Sequence, residues 1–105
     1  MERIQKLRKL QAIFHEEKKF NGDGYYRLRK IDDFTLEIAF LVAGPCGETI
    51  VHPQITVSLT HSKAIGTKLI DLETTPPTIL HRTASTSHEI DVALDNLIEK
   101  FLSIK

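Results

Sequence analysis

An α+β fold is predicted by three features of this 105-residue chain. It has an antiparallel meander of four to five strands, with an N-terminal helix before it and a C-terminal helix packed on one sheet face. Apolar residues recur at helical spacing near the start of the chain. Short alternating segments, separated by turns rich in Gly, Pro and Asp, fill the middle. A second helical stripe, opened by a capping signature, closes it.

Residues 2–19 are expected to form the first helix, because Ile4, Leu7, Leu10, Ile13 and Phe14 recur at spacings of three and four without Gly or Pro. The stop is "FNGDG", residues 20–24, whose Asn and Gly suit tight turns. Strand segments follow at about residues 25–31, 34–43, 48–60, 66–73 and 77–83. Tyr26 and Leu28 form the inward set of the first, and Phe34, Leu36, Ile38 and Phe40 that of the second. Both sets are even-numbered, so their connection needs either an odd-length loop such as Ile31-Asp32-Asp33 or a bulge. The next turn falls at "AGPCGE", residues 43–48. Pro53 donates no ladder hydrogen bond, which predicts a bulge or an edge segment early in the third strand. "ETTPPT", residues 73–78, forces a further turn or an extended crossing. Thr86 to Glu89, "TSHE", matches a capping box, and Ile90, Ala93, Leu94, Leu97, Phe101 and Ile104 then make one apolar stripe.

A chain of this length is a single α+β domain over residues 1–105, because two halves would each be too small to bury a useful core. Hydrophobic residues make up 41% and charged residues 27%, the composition of an ordinary globular protein. Lys plus Arg and Asp plus Glu number 14 each, so no net charge recruits duplex DNA or an anionic membrane. The lone Cys46 forms no internal disulfide. The first residues lack the apolar core of a secretory signal, and no apolar run approaches the roughly 18–20 residues of a membrane helix. These features predict an intracellular protein, cytoplasmic or nuclear, with no membrane partner.

Catalysis finds little support. His52, His61, His81 and His88 lie at spacings that match neither a helical pair nor a short Cys/His knuckle, so no metal site is expected. Cys46 has Glu48 as its near neighbour, which disfavours the thiolate a nucleophile needs. Asp32-Asp33 and Glu16-Glu17 are adjacent pairs that diverge rather than face each other. "NGDG" leads into a strand, whereas a phosphate cradle leads into a helix. The sequence therefore predicts no enzyme, no metal and no cofactor.

Binding surfaces are better marked. Tyr25, Arg27 and Arg29 share the non-core face of the first strand, where an aromatic beside two guanidiniums suits a protein interface. The alternative partner is single-stranded or structured RNA, which the same residues could stack on and grip. Against RNA, Glu37 interrupts the neighbouring strand and no second stacking aromatic is apparent on that face. Arg3, Lys6, Arg8 and Lys9 add charge to the first helix, whose stripe through Ile4 and Leu7 is wide enough to reach past the sheet. The candidate partner-binding residues are thus Tyr25, Arg27, Arg29, Ile4, Leu7 and Arg8. Gln54, Thr56, Ser58 and Thr60 make one polar face of the third strand and read as its wet side.

The run "RIQKLRKLQAIF" (residues 3–14), then "FTLEIAF" (34–40) and "QITVSLT" (54–60), then "TKLIDLETTPPTI" (67–79) and "IDVALDNLIEKFL" (90–102) resembles the RWD domains, relatives of the ubiquitin-conjugating fold. The resemblance spans nearly the whole chain and rests on element order and hydrophobic spacing. It is greatest to the small RWD-type modules of kinetochore proteins, and it implies a non-catalytic protein–protein interaction module, homodimeric or bound to another chain. The Tyr-Pro-x-x-x-Pro signature of ordinary RWD domains is reduced here to Pro76-Pro77, and Cys46 lies inside the meander rather than after it. No conjugating activity and no functional residue carries over.

Overall fold

The computed structural model describes residues 2–104. Its elements run α1 (Arg3–Gln11), β1 (Lys19–Asn21), β2 (Gly24–Asp32), β3 (Thr35–Ala43), β4 (Thr49–Leu59), β5 (Ala64–Asp71), β6 (Thr78–His81) and α2 (Ser87–Leu102). The six strands pair antiparallel in chain order, β1 to β6, as an uninterrupted meander. The α+β class and the helix–meander–helix order are those the sequence predicts. The strand count is six rather than four to five.

The extra strand comes from the first helix ending early. α1 stops at Gln11, and the amides of Ile13 and Phe14 both return to the Leu10 carbonyl to close the last turn. Phe14 is buried, but "HEEKK" after it offers no apolar side chain to hold a further helical turn against the core. The chain extends instead, and Lys19–Asn21 pairs with β2 around a two-residue turn in which Gly22 has φ +60°. Gly22-Asp23, with glycine at the first loop position, is thus a hairpin turn rather than a helix stop.

The parity of the β2–β3 hairpin is resolved by the bulge. Tyr26 faces Phe40, Leu28 faces Ile38 and Lys30 faces Leu36, before the register shifts between Lys30 and Asp32. Phe34 corrects the expected inward set. It sits in the turn, 70% exposed, with its amide donating to Asp32 Oδ1. Pro53 lies where the β3–β4 register shifts, so this interior strand accommodates the missing donor with a bulge.

The capping box at α2 does not form. The Thr86 hydroxyl donates to the His81 carbonyl at 2.6 Å and accepts from the Thr83 amide at 2.8 Å, closing the preceding turn instead of capping the helix. Both helices cover the same sheet face, with Leu7 and Leu10 of α1 and Leu94, Leu97 and Phe101 of α2 in one core with Leu28, Leu36, Ile38, Ile55 and Val57. Phe101 joins Phe14 and Tyr26 edge-on at 4.9 and 5.0 Å between ring centres. Arg3–Asp95 and Lys6–Glu99, each at 2.7 Å, tie α1 to α2. Among the described residues no helix covers the other face.

Candidate interaction surface

Directly opposed residues of an antiparallel pair share a face, so the registers define the open surface as rows. One row runs Arg27, Ala39, Gln54, Ile70, Ile79. The next runs Arg29, Glu37, Thr56, Lys68, His81. A shorter one at the β1 end runs Phe20, Tyr25, Leu41, Val51.

The centre of this surface is an ion cluster. Glu37 is only 8% exposed, and a carboxylate so nearly removed from water needs partners. Arg29 Nη2 donates to its Oε1 at 2.6 Å and Arg27 Nη2 at 3.3 Å, while Arg27 Nη2 also donates to Gln54 Oε1 at 3.0 Å. Two guanidiniums thus share one carboxylate, and the cluster keeps a net positive charge. The Nε groups of both arginines are buried without an acceptor. At the β1 end Phe20 meets Tyr25 edge-on at 5.2 Å, and Lys18 Nζ stands 5.6 Å from the Tyr25 ring centre. At the opposite end Ile79 is exposed.

The structure brings together three of the predicted partner-binding residues: Tyr25, Arg27 and Arg29 line one strand of the open face. Ile4 and Leu7 lie elsewhere, 6% and 0% exposed, because the α1 stripe is fully taken up by the core. Arg8 is exposed on α1, near the C-terminal end of that strand, beside a cleft of about 310 Å³ lined also by Lys30, Asp32, Phe34, Leu59 and His61. Gln54, Thr56 and Ser58 join the open face. Thr60 departs from it, its hydroxyl held in the β4–β5 turn by the Lys63 amide.

Three members were not legible as such in the sequence. Glu37 read as an interruption of positive charge, and it is the group that holds both arginines in place. Phe20 lies in the stretch read as a helix stop, and the Gly22-Asp23 dipeptide is the hairpin signal that marks its strand. Lys68 joins the arginine row only because the β4–β5 register places it opposite Thr56.

Elsewhere, His52 Nδ1 meets Asp71 Oδ1 at 2.7 Å. Among the described residues no three His, Cys, Asp or Glu converge as metal ligands, and no helix is long and apolar enough to cross a membrane. Compared with family models, curated proteins and solved structures, the chain matches none.

Proposed function

We propose that the chain is a non-catalytic protein-interaction module, docking another protein chain or a second copy of itself on the open sheet face. The observation that carries this reading is the one-sided sheet. Six strands are covered by both helices on one face, and the other presents a preformed Arg–Glu–Arg cluster between an aromatic and an aliphatic end. Tyrosine, phenylalanine and arginine are the residue types enriched in protein interfaces, while small polar groups such as Thr56 and Ser58 let a partner approach closely. The helix–meander–helix order supports a likeness to RWD-type docking modules.

The test is Thr56→Arg, which places a long cation at mid-face on a half-buried, solvent-side position. Surface changes of this kind move stability by about 0.5 kcal/mol or less, so circular dichroism should show an unchanged fold. Light scattering over a concentration series reads self-association, and cross-linking in cell extract reads a different chain. The wild type should associate in one of the two assays, and the variant should lose that association. A strictly monomeric wild type that cross-links to nothing sinks the proposal.

A further inference from the structure

We propose that the β1–β2 end of the open face binds single-stranded nucleic acid, with Phe20 and Tyr25 as stacking platforms and Lys18, Arg27 and Arg29 as phosphate contacts. This rests on the open face being a binding surface, as above, and assigns one end of it a second occupant. The first support is the aromatic pair. Phe20 is 61% exposed on a strand, and Tyr25 beside it is half-buried. The exposed Phe20 ring can stack on an unpaired base, with Tyr25 edge-on beside it and Lys18 over the Tyr25 ring, and base–ring stacking tolerates any sequence.

The second support is charge. The chain is neutral as a whole, but this face is not. Lys18, Arg27, Arg29 and Lys68 gather on or beside the rows described, whose one carboxylate among the described residues is Glu37, and Asp32 follows on the same face opposite Thr35. Glu16 of the preceding loop lies on the helix side, beside Phe14 and Leu28.

The third support is preorganisation. Both arginines are held by Glu37 through Nη2 alone, which leaves each Nη1 without a partner among the described residues. Two guanidiniums fixed by one carboxylate need little further ordering to accept a phosphate oxygen. A pair of flat rings with cations beside it suits a strand that carries both bases and phosphates. An acidic protein segment would satisfy the charge and leave the rings without planar partners.

Fluorescence anisotropy with labelled oligo(U) and oligo(dT) of about 12 nucleotides, a length within reach of one small domain, tests the proposal. Binding should appear at low salt and weaken steeply as salt rises. Phe20→Ala touches an exposed side chain and should weaken binding roughly fivefold to a hundredfold, the worth of one base–aromatic stack. Arg29→Glu should abolish it, whereas Lys9→Glu, the same charge change on the exposed side of α1, should leave it nearly intact. Tighter binding of oligo(U) than of oligo(dT) would identify RNA as the ligand; the reverse would identify DNA. Absence of binding to either at low salt overturns the proposal and leaves the protein-docking reading to its own assays. So does equal loss with Lys9→Glu and Arg29→Glu, which would mark the attraction as diffuse charge.

Discussion

Asp91 shows how single residues hold the helical layer to the sheet. Arg82, just past β6, grips its carboxylate with two bonds, Nη1 to Oδ1 at 2.8 Å and Nη2 to Oδ2 at 3.2 Å, and also donates to the Gly66 carbonyl of β5. The hydrogen bonds from Arg82 hold the Asp91 carboxyl below its ordinary range, opposed by partial burial and helped by the charges of Arg82 and Arg3. Asp23 is lowered in the same way, first by its hydrogen bond from Lys100. A carboxylate with a depressed folded pKa adds stability above its unfolded value of about 3.9, and that contribution is lost as pH falls through the folded pKa. The urea midpoint should therefore hold steady from neutral pH to about pH 5 and drop below about pH 4. Asp91→Asn should lower the midpoint at pH 7 and flatten the acid decline. An acid decline as steep in Asp91→Asn as in the wild type would show that this pair does not link the fold to pH.

Glycine 66 decides how closely one element can lie on another. It sits on β5 opposite Val57, on the face that α2 covers. A Cβ there would come within 2.7 Å of Ile90 Cγ2 and 3.5 Å of Leu94 Cδ2, and both of those side chains are fully buried. Gly66→Ala should destabilise by about 1–3 kcal/mol, the usual cost of overpacking, read from urea unfolding. Ile90→Ala removes the colliding methyl, so the double variant should lose less than the sum of the single changes. Strict additivity would mean that α2 moves away from the sheet without effort. Such contacts explain what was readable at this scale. Period-two and period-3.6 patterns marked β2 to β5 and α2, because each carries its own buried stripe, while β6 has only half-buried Thr78 and Leu80. β1 carries none: its three residues are all exposed and it exists only as the partner of β2. The helical period of α1 ran on to Ile13 and Phe14, but helix continues only where packing holds it, and Ile13 is 49% exposed. The Tyr25–Arg27–Arg29 side of β2 followed from alternation alone. The Glu37 clamp depended on register, which the bulges after Lys30 and Ala39 set.

At the scale of the whole molecule, the meander makes stability graded rather than uniform. β3 and β4 are long interior strands, paired on both sides and packed beneath the helices. β1 and β6, at three and four residues, are edges with one partner each. α1 has only nine residues, too few to persist alone in water, so its structure depends on Ile4, Leu7 and Leu10 in the shared core and on its ion pairs to α2. α2 carries the larger buried stripe, through Ile90, Leu94, Leu97, Ile98 and Phe101. Opening α2 would expose the inner sheet face and remove the support of α1 together, which couples both helices to the central strands. Native-state hydrogen exchange should therefore find the amides of β3, β4 and the middle of α2 protected to a similar free energy, close to that of global unfolding. The amides of residues 15–21 should exchange through local fraying, and those of α1 should open no later than α2. Protection of β3 and β4 alongside rapid exchange throughout α2 would show that the helical layer is an appendage to the sheet, and would contradict the single core on which this fold depends.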